Sequence, residues 1–193
     1  MPVIATKECW SDIFKGLIEV GFLGKGSRFN LEWEGEDIKI TFPKKLYKKL
    51  KDDLDRGKPE LQKFLYLREC FKKKPRGENC KVVVKRKGKH LADIHYLLFT
   101  ALTSLRAEKR QRIFGARKKA EEDVKKVLQK FFSQKQLSSV KSIVYYKKGM
   151  FYLDVCFGRK RRIGLPYRLV WNTNNVNAIP VLLAEYLSEL LSK

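Results

Sequence analysis

Acidic residues are scarce: 21 Asp and Glu stand against 43 Lys and Arg, leaving a formal charge of +22 on 193 residues. Histidine is scarcer, with only His90 and His95. Five apart on a helical stretch, they do not share a face as i, i+4 zinc ligands would, which disfavours a His-based metal site or triad. The four cysteines, Cys9, Cys70, Cys80 and Cys156, form no Cys-x-x-Cys pair. That disfavours a zinc knuckle or ribbon and reads as free thiols in a reducing compartment. No apolar run approaches the ~18 residues of a membrane span. The stretch from Met1 to Lys7 lacks a basic start followed by a long apolar segment, so no signal peptide is expected. The expected location is the cell interior: cytoplasm or nucleoid, or the nucleus of a eukaryotic host.

Apolar residues are plentiful at 44%, with twelve Phe, eight Tyr and three Trp, so a folded body is expected rather than a disordered basic tail. A compact body of charge +22 repels itself, a cost tolerated where a polyanion neutralises it. Nucleic acid, DNA or RNA, is the partner this favours, because each neutralised phosphate releases a counterion. The competing readings are plain solubility charge, or an acidic protein or membrane surface.

Trp10, Ile13, Phe14, Leu17 and Ile18 recur at helical spacing, with Gly21 suited to the C-terminal cap. Phe29, Leu31 and Trp33, then Ile38, Ile40 and Phe42, alternate with polar residues around Glu34-Gly35, which predicts a β-hairpin with one apolar face. Pro43 fits a helix start, and Leu46, Leu50 and Leu54 share a stripe. A second helix from about residue 60 to 73 has Leu61, Phe64, Leu65 and Phe71 as its inner residues, and Cys80 to Arg86 has the β-branched density of a strand.

A long helix is expected from about 90 to 113, an interruption at Gly115, and a further helix from about 116 to 133. Strands follow at about 140–147, 150–157 and 167–171, with a tight turn at Lys148-Gly149. A C-terminal amphipathic helix carries Ile179, Leu183 and Leu187, with Asn177 as its cap. Hairpins dominate, so the expected class is α+β: antiparallel hairpins or sheet with several amphipathic helices and a helical middle segment. The polar connector at 134–139 suggests a division into 1–135 and 136–193, although one domain fits the pattern as well.

Five basic clusters mark candidate phosphate contacts. One is the helix face with Lys44, Lys45, Lys48, Lys49 and Lys51. A second is Lys72, Lys73, Lys74 and Arg76; a third is Lys85, Arg86, Lys87 and Lys89. A fourth, Arg106, Lys109, Arg110, Arg112, Arg117, Lys118 and Lys119, gathers around the expected bend at Gly115. The fifth, Arg159, Lys160, Arg161 and Arg162, lies between Gly158 and Gly164, as a basic finger or turn. Arginine weights the last two, because guanidinium binds phosphate bidentately and reads guanine edges. Tyr145, Tyr146, Tyr152 and Tyr167 lie among these basic residues, where an outward ring would stack on a base. Alternation puts Tyr145 and Tyr146 on opposite faces, so one of them points outward.

An alternative is a small metal-dependent endonuclease of restriction or homing type. Asp37-Ile38-Lys39 has the acid-x-lysine spacing of a restriction-type core, with Glu32 and Glu19 as further acids. Magnesium enters only under that alternative; no other cofactor is expected. A cross-strand ion pair explains Glu32 and Lys39 equally well. The stretch Lys15 to Glu19 resembles part of the helix of a LAGLIDADG homing endonuclease, but the closing acid-glycine pair is absent and no residue is carried over. Gly21 to Ser27 is glycine-rich but is not a Walker A loop: Ser27 follows Gly26 directly, and a strand comes next, so a turn is expected.

Overall fold

The computed structural model describes residues 7–71, 77–85, 90–157 and 168–192. The class is α+β, with two three-stranded antiparallel sheets and a long middle helix. The chain divides into two compact units, Met1–Lys109 and Arg110–Lys193.

In the first unit, helix α1 (Lys7–Glu19) buries Trp10, Ile13, Phe14 and Leu17. Gly21, at φ 78°, ends it: its N–H bonds the Ile18 carbonyl at 2.9 Å and the Phe22 N–H bonds the Leu17 carbonyl at 3.0 Å. This pair of hydrogen bonds back into the last turn is a Schellman cap, and the positive φ is why glycine stands there. Strands β1 (Asn30–Glu34), β2 (Asp37–Pro43) and β3 (Asn79–Lys85) form a meander. Ile38 opposes Val84, Ile40 opposes Val82 and Phe42 opposes Cys80, so one face of β2 and β3 is wholly buried. The hairpin turn is Gly35-Glu36, one residue later than expected, because Glu34 still pairs with Asp37. Trp33 shares the parity of the apolar face, yet it is 59% exposed near the end of an edge strand.

Helix α2 (Lys44–Asp55) starts after Pro43 and buries Leu46, Leu50 and Leu54, as their spacing requires. Each such leucine contributes roughly 1.5–3 kcal/mol by leaving water. The next helix, Pro59–Phe71, winds as a 3₁₀ helix rather than an α-helix. Its buried residues are Leu61, Phe64, Leu67 and Phe71; the first three recur every third residue, the 3₁₀ repeat. Leu65, expected among the inner residues, is only half-buried, because at three residues per turn it falls beside the row of Leu61, Phe64 and Leu67 that faces the core.

Helix α3 runs unbroken from His90 to Phe131, so the expected interruption at Gly115 does not occur. Glycine costs a helix only about 1 kcal/mol against alanine, and no proline accompanies it here. Ile94, Leu97, Leu98, Ala101 and Leu102 of α3 join the first core; Ala120, Val124 and Leu128 join the second.

In the second unit, β4 (Val140–Lys147), β5 (Met150–Phe157) and β6 (Arg168–Thr173) form another meander, preceded by the one-turn helix α4 (Gln134–Leu137) and followed by α5 (Ala178–Leu191). Gln136 Oε1 accepts from the Ser133 N–H and hydroxyl, which starts α4. Lys148 and Gly149, at φ 51° and 84°, make the β4–β5 turn where it is expected. Ile179, Leu183 and Leu187 of α5 are buried. Asn177 stands at the cap of α5 but makes no capping bond; instead the Asn175 side chain accepts from the Asn177 N–H at 3.1 Å.

Candidate nucleic-acid interface

The basic clusters fare differently. Lys72, Lys73, Lys74, Arg76, Arg86, Lys87, Lys89, Arg159, Lys160, Arg161, Arg162 and Tyr167 lie outside the described residues, as does the Lys85 side chain. Arg106, Lys109, Arg110, Arg112, Arg117, Lys118 and Lys119 belong to the continuous helix α3. In the second unit Arg110 and Arg117, seven residues apart, fall on one side of that helix. Arg117 faces Glu121 at 3.8 Å and lies over the Phe114 ring, and Lys109 Nζ donates to the Glu19 carbonyl at 3.1 Å.

The face of α2 holds the clearest arrangement. Burial of Leu46, Leu50 and Leu54 turns Lys44, Lys45 and Lys48 outward, within about 100° of helix arc. All three are exposed, and among the described residues none has a carboxylate within ion-pair distance. Lys49 differs: its ammonium lies 3.2 Å from Asp53, and both side chains are largely buried. Lys51 is half-buried on the same helix.

Lys44, Lys45 and Lys48 line an open groove of about 1060 Å³. Its opposite lining is the glycine-rich segment Gly21, Phe22, Leu23, Gly24, Gly26, Ser27 and Arg28. Buried Leu23 anchors that segment, and the Ser27 N–H closes a turn onto the Gly24 carbonyl at 3.0 Å. Lys45 Nζ lies 4.8 Å from the centre of the Phe22 ring, a cation–π contact that links the two walls. The N-terminal turn of α2 borders the groove at Pro43 and Lys44, with Glu78 and Asn79 beside it. The Lys44 N–H is already satisfied by the Glu78 carbonyl at 2.8 Å. The lysine field reaches inward as well. Burial pushes the Cys80 thiol above its usual value, while Lys44 and Lys48 pull it the other way.

Such a groove suits phosphate: exposed ammonium groups supply the charge, and glycines let an anion approach the backbone. The lysines of α2 are legible in the sequence, and so is the glycine-rich segment, though it reads there only as a turn; Arg28 and Phe22 as part of the same groove are not. The one signal is Arg28 following a loop with three glycines. That loop leads into β1, and only the fold brings it beside α2.

The candidate catalytic residues are arranged as follows. Glu32 directly opposes Lys39 across β1 and β2, and Glu34 opposes Asp37, all on the outer side of the hairpin. Lys39 Nζ lies 3.5 Å from Glu34, and Glu32 accepts from the Asn30 side chain. Glu19 ends α1, on a different element. Among the described residues, no group of three His, Cys, Asp or Glu side chains is placed to hold a metal ion. His95 packs edge-to-face on Trp10 with ring centres 5.3 Å apart, whereas His90 tilts against Tyr66.

Among the described residues no helix is long and apolar enough to cross a membrane. Comparison with family models, with curated proteins and with solved structures finds no match to this chain.

Proposed function

We propose that this protein binds nucleic acid inside the cell, holding the phosphate backbone in the groove between α2 and the glycine-rich loop. The observation that carries this reading is the trio Lys44, Lys45 and Lys48, exposed and free of carboxylate partners among the described residues, beside Arg28. The net charge of +22 supplies the long-range attraction. The intracellular placing is supported by four cysteines that form no disulfide.

The test is fluorescence anisotropy with labelled DNA and RNA across a salt series. Binding weakens linearly on a logarithmic salt scale, and replacing Lys44, Lys45 and Lys48 by Gln lowers the duplex slope by about 0.9 for each phosphate no longer neutralised. No binding to any polymer at moderate salt, or an unchanged slope in the triple variant, overturns the reading. A magnesium arm checks for cleavage. Fragments that disappear in Asp37→Ala or Glu32→Ala would replace simple binding by the nuclease alternative.

A further inference from the structure

The β4–β5 part of the second unit's sheet has one packed face and one face with exposed side chains. Val144, Phe151, Leu153 and Val155 are buried with Ala120, Val124 and Leu128 of α3 and Ile179, Leu183 and Leu187 of α5. Strand alternation sends the other set of side chains to the opposite side. That set is Lys141, Ile143, Tyr145 and Lys147 of β4, facing Cys156, Asp154, Tyr152 and Met150 of β5 in register. Ile143 is 59% exposed there, and Lys141, Lys147 and Cys156 are exposed too, while Tyr145, Tyr152 and Asp154 between them are half-buried.

At its centre Tyr145 and Tyr152 are directly opposed, with rings 5.2 Å apart and 7° from parallel. Tyr146, its parity reversed, turns inward and meets Phe151. Lys141 lies on one side of the tyrosine pair along β4, with Lys147 and turn residue Lys148 on the other. Asp154 is the one carboxylate in β4 and β5.

We propose that this face of β4 and β5 is a stacking platform for single-stranded nucleic acid. The inference rests on the nucleic-acid reading above and names the strand state and a second surface. Aromatic rings flanked by cations suit a polymer whose bases are uncovered and whose backbone is anionic. A duplex meets only half of that description, since its bases are already stacked on one another. A flat apolar protein partner would find lysines at both ends of the patch. A cross-strand aromatic pair also steadies a sheet, so the experiment must separate packing from recognition.

The experiment measures anisotropy of labelled oligo(dT), oligo(U) and a hairpin duplex of matched length, using the full chain. Variants are Tyr145→Leu, Tyr152→Leu, Ile143→Glu and Tyr145→Phe. The expected result is a reduction of about 5- to 150-fold in single-strand affinity for the Leu variants, the range for one stacked base, with duplex binding unchanged. Tyr145→Phe keeps its ring and binds like the parent. Ile143→Glu decides the matter if a Leu variant melts early, because an exposed position takes a carboxylate without disturbing the core. It should weaken single-strand binding at least tenfold. Single-strand affinity unchanged in Ile143→Glu overturns the platform, as does an equal reduction on the duplex. Self-association in sedimentation that Ile143→Glu abolishes, with oligonucleotide binding intact, would assign the face to a second copy of the chain. A parent protein that binds only duplex overturns the platform alone. One that binds no oligonucleotide overturns the groove reading with it.

Discussion

Lys49 and Asp53 stand one helical turn apart on α2, with N···O 3.2 Å and only 18% and 11% of their side chains exposed. Asp53 is the one buried charged residue among the described residues, and Lys49 is its counter-ion. Neighbouring lysines therefore have different duties. Lys49→Met leaves a carboxylate unpaired in a low-dielectric site and should destabilise the protein by about 1–3 kcal/mol. Lys48→Met should leave stability within about 0.5 kcal/mol, as a surface change does, and weaken nucleic-acid binding. Urea melts and anisotropy on the two variants test the separation. Equal effects of both on stability would refute it.

Gly16 and Gly115 make an opposed pair of glycines. A Cβ on Gly16 would lie 2.8 Å from Leu102 Cδ2 and 3.1 Å from an Arg106 nitrogen, so Gly16→Ala should destabilise by about 1–3 kcal/mol through overpacking. Nothing lies within 4 Å of a Cβ on Gly115, which is exposed inside α3. Gly115→Ala should raise stability by about 0.5–1 kcal/mol, read from the unfolding midpoint and from helical circular dichroism.

His95 should make the first unit sensitive to acid. Burial beside Trp10 lowers its pKa from 6.5, against a backbone hydrogen bond with Cys9 that raises it. A lowered folded pKa means the unfolded chain binds the proton more readily. The contribution is fully present above pH 6.5 and is lost as pH falls through the folded value. The parent should lose more stability than His95→Gln between about pH 7.5 and 5.5, the range where a histidine titrates. Parallel curves would show that His95 contributes nothing to the pH dependence.

The cysteines should differ in alkylation. Cys156 is exposed on the face of β5 that carries Tyr152, whereas Cys80 is buried and its thiol is pushed upward by that burial. Iodoacetamide at neutral pH should label Cys156 quickly and Cys80 only on unfolding, as mass spectrometry of the digested protein would show. Oligo(U) should slow labelling of Cys156 if the face is occupied.

Much of this architecture follows from periodicity. The leucine stripe of α2, the alternation of β2 and the Lys148-Gly149 turn all report local physics, and the structure repeats them. Gly115 misleads because glycine lowers helix propensity without breaking a helix, and nothing nearby opposes continuation. The 3₁₀ helix passes for an α-helix in the sequence because 3.0- and 3.6-residue repeats nearly coincide over one turn and part only by Leu67. Lys49 reads in the sequence as one more phosphate contact, and the structure makes it instead the partner of Asp53 four residues on. The groove is not legible, because Arg28 and Lys44 are joined by tertiary folding alone. The tyrosine pair is half legible: alternation requires Tyr145 and Tyr146 to diverge, but only the strand register shows that Tyr152 faces Tyr145.

The 3₁₀ segment Pro59–Phe71 has a consequence for how it is held. Its backbone bonds are poorer than those of an α-helix, so side-chain packing must fix the winding. An α-helix turns about 20° less per residue than a 3₁₀ helix, and from Leu61 to Leu67 that difference accumulates to about 120°. Rewinding would swing Leu67 out of the core, at the expense of its burial. The segment therefore behaves as a coiled spring clamped at its leucines, and its amide protons should exchange with solvent as soon as that clamp loosens.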